Sequence, residues 1–210
     1  MVAQQILGII LLIIQFSIII PLVVELGKTR SSQGISLISE VAWVIAGLGW
    51  SIYGFLISNI TLIISGALAT TGSLIVILLI RKDLNNNVKR KSSLFGIFFF
   101  VSMIMTVVLY NSPGLSIFLS AFGIIQFVPQ IIVSFKSIFR RDAHGVPIVS
   151  TSLRALYTFT WAFYAAAWFV WGISFKEINW PLAVWGLSGF IAFSLQAIAG
   201  IMSKKDIKRI

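Results

Sequence analysis

The chain has no cysteine, one histidine, and six acidic residues against sixteen basic ones. Without cysteine there is no disulfide, no thiol nucleophile and no thiolate metal ligand. A lone histidine, His144, has no second ligand at metal-binding spacing, so no metal site is expected. Charge of either sign is scarce: 10% of residues carry it, where a soluble domain has about 25%. So few charged groups cannot cover a water-facing surface. No His-Glu-x-x-His, phosphate-cradling glycine loop or nucleophile elbow occurs. No enzymatic activity and no cofactor are expected.

What fills the chain instead is apolar runs. They extend over Ile6 to Val24, Ile35 to Ile57, Leu62 to Ile80, Leu94 to Leu109, Leu115 to Phe135, Ile148 to Phe175 and Pro181 to Met202. Most reach or approach the roughly 20 residues that cross about 30 Å of hydrocarbon as a helix. The pattern predicts an all-α integral membrane protein with seven transmembrane helices. The first run is expected to be retained: its leader, Met1 to Gln5, has no basic residue, and the run exceeds a signal peptide's apolar stretch. The last span lacks the lysine that a retinal pigment needs.

The net charge of +10 is arranged for a lipid bilayer and not for nucleic acid. Lys28 and Arg30 follow span one; Arg81, Lys82, Lys89, Arg90 and Lys91 follow span three; Lys136, Arg140 and Arg141 follow span five. Lys204, Lys205, Lys208 and Arg209 close the chain. With alternating spans all of these face one side, which the positive-inside rule makes cytoplasmic. The amino terminus is then outside, the carboxyl terminus cytoplasmic, and a prokaryotic plasma membrane is the expected location.

The chain also repeats itself. "QGISLISEVAWVIAGLGWSIYG" (33–54) and "HGVPIVSTSLRALYTFTWAFYA" (144–165), set side by side without gaps, match Trp50 with Trp161 and Tyr53 with Tyr164. Beyond an insertion, Asn59, Leu62 and Gly66 match Asn179, Leu182 and Gly186, and Pro21 matches Pro129. Two three-helix units in the same orientation need one more helix between them. The expected architecture is a 3+1+3 parallel repeat: residues 1–84 as the first triple-helix bundle, 85–113 as linker and inversion helix, 114–210 as the second bundle with a cytoplasmic tail. Parallel repeats about an axis along the membrane normal are a transporter plan with the solute bound between them.

A Pro-Gln pair near the cytoplasmic end of a helix (Pro129-Gln130), a polar loop, and Gly-Val or Gly-Ile-Ser opening the next helix resemble the PQ-loop superfamily. "WSIYG" (50–54) is similar to its SWEET branch, the sugar uniporters. The first copy departs from the motif, reading Pro21-Leu22, and Gly66 and Gly186 stand where the SWEET branch has sugar-binding asparagines. The resemblance implies two triple-helix bundles around a central pathway that moves a small polar solute, a sugar first, by facilitated alternating access. A proton-coupled amino-acid or vitamin-like solute transporter, and a ligand-binding receptor on the same plan, are the alternatives. A scaffold with a collapsed pathway is the third, favoured if Trp185 fills the cavity. A homo-oligomer is compatible with all of them.

The candidate solute site is lined by Trp50, Tyr53, Trp161 and Tyr164. Mid-span tryptophans must face protein or a cavity, and so either clamp a flat-faced solute or pack the core. Ser65 and Gly66 on one side and Trp185 and Gly186 on the other complete it, the tryptophan making the pocket asymmetric. Pro21 and Pro129 free a carbonyl one turn earlier and act as hinges or static kinks, with Gln130 able to satisfy the freed group. Glu40 and Arg154 are the charges inside spans two and six. They either pair as a gate across the inner vestibule or snorkel to the interface, and Glu40 alternatively couples protons. Asp142, in the polar loop, is a second proton-coupling candidate that the resemblance implies.

Overall fold

The computed structural model describes residues 2–29, 35–129, 131–132, 163–173 and 178–207. All regular structure among these is helical. Six longer helical runs follow one another among them, with short helical stretches at 128–129 and 131–132 besides: α1 (Val2–Thr29), α2 (Leu37–Leu56), α3 (Ile60–Ile80), α4 (Asn86–Ile125), α5 (Phe163–Ile173) and α6 (Trp180–Ile207). The first four are long and apolar enough to cross a membrane. Large apolar side chains such as Ile13, Leu78, Phe98 and Ile117 face outward along them, as a lipid-facing surface requires.

Local chemistry sets the helix ends. Ser36 caps α2 by accepting from Ser39 N at 3.3 Å, and Glu40 lies in the first turn, where a carboxylate complements the helix dipole. Asn59 caps α3 through Leu62 N, 3.2 Å, and Asn179 caps α6 through Leu182 N, 3.3 Å. Asparagine is among the strongest caps. Pro181 sits in the first turn of α6, where its missing N–H costs nothing.

α4 is two antiparallel limbs. At Asn111 the backbone leaves the helix (φ 54°, ψ −141°), and Pro113 follows two residues on. In a straight helix Phe99 and Phe122 would stand about 35 Å apart; their ring centroids are 4.9 Å apart. Gly114 makes the reversal possible, since a Cβ there would lie 2.7 Å from Thr106 O and 2.5 Å from Tyr110 Cβ. The break falls where the sequence reading separates spans four and five.

The two prolines expected to act alike do not. α1 runs on through Pro21, which is exposed. Pro129 cannot bond the Ile125 carbonyl, and there α4 ends in a turn at 126–127 before helix resumes. Gln130 lies outside the described residues.

α3 packs against both α1 and α2, and α2 against α4. On the other side α6 packs against α4 and against α5, whose Ala165 and Phe169 backbone lies beside Gly186. In each half the last helix thus lies against the other two. Bare helix surfaces approach closely at glycines, as membrane helices do when hydrophobic burial cannot drive their association. A Cβ on Gly66 would meet Ser51 N at 2.6 Å, and one on Gly186 would meet Phe169 Cα at 2.7 Å. A Cβ on Gly54 would meet Leu62 Cβ at 2.7 Å, and one on Gly172 would meet Leu182 Cβ at 3.0 Å.

These contacts correct one alignment. Gly47 and Ser51 flank Gly66 as Ala165 and Phe169 flank Gly186. Asn59 N donates to Gly54 O (2.7 Å) as Asn179 N donates to Gly172 O (3.0 Å). In space Trp50 therefore corresponds to Trp168, Tyr53 to Trp171 and Gly54 to Gly172, so that "WSIYG" is repeated as "WFVWG". The gap-free match of Trp50 to Trp161 and Tyr53 to Tyr164 is about two helical turns out of register. The pairing of Asn59, Leu62 and Gly66 with Asn179, Leu182 and Gly186 agrees with the geometry.

Candidate functional site

Where the two halves meet, α1, α2, α3, α5 and α6 enclose a cavity of about 20 Å³, room for about one water. Its polar wall begins with Gln15, buried on α1. Gln15 Nε2 donates to Ser65 O at 3.0 Å, and Ser65 Oγ donates to Gln15 Oε1 at 2.6 Å. Ser65 Oγ also lies 3.3 Å from the Tyr164 hydroxyl. This carboxamide and two hydroxyls join α1, α3 and α5, spanning the seam between the halves. A buried polar group is tolerable only when bonded, and here each member answers another.

The remaining wall is aromatic. Trp43, Trp50, Trp168 and Trp185 all line the cavity. Trp185 sits at the centre: its ring centroid lies between 5.9 and 6.3 Å from those of Trp43, Trp50, Phe127, Tyr164 and Trp168. Four of these contacts are edge-on, the arrangement that the ring quadrupole favours, worth about 0.5–1.5 kcal/mol each beyond burial. The Trp185 indole N–H has no hydrogen-bond acceptor among the described residues. Among the described residues no charged side chain lines the cavity. A buried ion would find no counter-charge among these lining residues, and an unpaired buried charge is far costlier than an unpaired dipole.

The cavity is lined from the middle of α1 and α2 but from the capped ends of α3 and α6. Trp50 is about 9 Å from the end of α2, and Ser65 about 9 Å from the α3 cap. At that end Asn179 Nδ2 donates to the Tyr53 hydroxyl at 3.5 Å, closing the halves together. Toward the other end Ser39 Oγ donates to Gln126 O at 3.5 Å, and Trp43 meets Phe127 edge-on at 5.8 Å. Both polar closures are at the long limit for a hydrogen bond. On either side of the site the described residues of the two halves are joined by contacts that are individually weak.

Of the expected site residues, Trp50, Ser65, Gly66, Tyr164 and Trp185 come together around the cavity. Tyr53 belongs to the closure beside it, and Gly186 to the α5–α6 contact. Trp161, Arg154 and Asp142 lie outside the described residues. Glu40 does not line the cavity; it meets the Ser73 hydroxyl on α3, one helical turn from the lining residues Trp43 and Ala69. Gln15, Trp43 and Trp168 were not anticipated. Gln15 had a signal, as the one carboxamide within the first apolar run; Trp168 had another, in the echo of "WSIYG" by "WFVWG". Trp43 had only its spacing of two helical turns before Trp50.

Gln126 is an oddity near this site. It is 0% exposed, and neither its Nε2 nor its Oε1 has a partner among the described residues. Leaving such a group unsatisfied costs about 1–3 kcal/mol.

No family model and no curated protein matches this chain.

Proposed function

We propose that the protein is a seven-helix membrane transporter of the PQ-loop type, carrying a small, uncharged polar solute by alternating access between two triple-helix bundles. The bundles are residues 1–84 and 114–210, with the helix within 85–113 inverting the chain between them. The amino terminus is outside, and the basic loops and tail face the cytoplasm of a prokaryotic cell. One observation carries the reading: a cavity on the seam whose described lining is uncharged, walled by indole rings and bridged by Gln15, Ser65 and Tyr164. Aromatic faces with hydroxyl and carboxamide groups suit a sugar-like solute. The absence of charge among the described lining residues weighs against the amino-acid alternative, because a zwitterion needs both of its charges answered. The weak closures on either side of the cavity suit gates that must open, and Pro129, where α4 is interrupted, suits a hinge.

A second reading is favoured by the cavity's size. At about 20 Å³ with Trp185 at its centre, it is also what a membrane scaffold with a collapsed pathway would have. Counterflow in proteoliposomes separates the readings. Labelled glucose should accumulate against unlabelled glucose loaded inside. A receptor on the same plan binds without exchange, and a scaffold does neither.

A further inference from the structure

Ser65 and Trp185 hold equivalent places: each follows its capping asparagine, Asn59 or Asn179, by the same number of residues. The residues facing them on the first helix of each half, Gln15 and Gly123, likewise precede Pro21 and Pro129 by equal spacing. In one half a small hydroxyl meets a long carboxamide. In the other an indole meets bare backbone: a Cβ on Gly123 would come within 3.1 Å of Trp185 Cδ1. Glycine is what admits the ring. Bulk across each pair is shared out oppositely, and at this position only the second half sends a large rigid side chain into the cavity.

We infer that Trp185 sets the upper size limit for the solute at this site, occupying room that Ser65 leaves open in the other half. The assignment rests on the transport reading above. Trp185 is buried, lines the cavity and touches five other rings, so no solute enters without meeting it. Its indole N–H is unpartnered among the described residues, leaving a donor for a solute oxygen. A serine there copies the sequence's own alternative, keeping a polar contact while removing the ring.

The test compares the full chain with W185F and W185S in proteoliposomes, using glucose and sucrose as probes. The wild type should exchange glucose at least about tenfold faster than sucrose, a discrimination within reach of a pocket that excludes by shape. W185F should narrow the ratio and W185S should bring it within about threefold, glucose exchange itself changing less. If W185S does not survive purification, the W185F ratio decides. A ratio unchanged in the variants, or a wild type that exchanges both sugars equally, overturns the assignment while leaving transport standing. Thermal stabilisation in detergent supplies a readout without transport. Sucrose that stabilises W185S but not the wild type, with no exchange by any form, would sink the transport reading and keep the size limit. No exchange and no stabilisation by either sugar would sink both.

Discussion

Asn59 and Asn179 cap their helices through the same bond to a leucine N–H, and Gly66 and Gly186 bring the same two backbones together further on. Between them stand Ser65, bonded to Gln15 and near the Tyr164 hydroxyl, and Trp185, ringed by aromatics with an idle N–H. The two halves agree where backbone touches backbone and part company where side chains face the seam. A glycine pressed on a main chain admits no alternative, because the neighbouring atoms cannot move aside. A side chain facing a cavity is free to vary, and variation there changes what fits without changing how the helices pack.

If that division is right, G66A and G186A should be the most damaging substitutions, and alike. The added methyl would meet Ser51 N at 2.6 Å in one half and Phe169 Cα at 2.7 Å in the other. Each should cost about 1–3 kcal/mol or more, read as a lowered thermal midpoint in detergent. G27A, with nothing within 4 Å of the new Cβ, is the neutral control. Sensitivity in only one half would show that the shared packing is not shared energetically.

Q15L should come next, at about 1–3 kcal/mol, since it strips a donor from Ser65 O and an acceptor from Ser65 Oγ in a buried site. Gly123, its counterpart, has no side-chain hydrogen bond to lose. The caps should follow: N59A and N179A at about 0.5–2 kcal/mol each by thermal unfolding. N179A should be the larger of the two, because it also frees the Tyr53 hydroxyl. Y164F should be the mildest, about 0.5–1.5 kcal/mol, because Ser65 keeps Gln15 when the tyrosine oxygen goes. A Y164F effect exceeding that of Q15L would mean that the bond across the seam, not the one within a half, dominates the polar network.

Much of the fold is legible in residue types. The apolar runs announce helices long enough for a bilayer, and Asn111 to Gly114 announces the reversal of α4. The site is legible in part. Trp50, Ser65, Tyr164 and Trp185 are each out of place in lipid, and the physical reason they meet is that each needs a protein or cavity neighbour. Trp168 was missed for an instructive reason. Pairing "WSIYG" with "WAFYA" preserves tryptophan and tyrosine but gives up the glycine after them. The glycine is the residue that the close helix contact fixes, and it pairs with the one after "WFVW". The equivalence of Pro21 and Pro129 was legible as position but not as behaviour, because whether a helix tolerates proline depends on its neighbours.

The Gln126 carboxamide, buried beside Ser39 and Phe127 without a partner among the described residues, bears on how firmly the halves hold shut. Its desolvation is a standing penalty on this arrangement alone. Any conformer that lets water reach it relieves that penalty. Aromatic packing at Trp43, Phe127 and Phe193 offsets that penalty where the halves meet, so a substitution that gave the carboxamide a partner would hold them together more firmly.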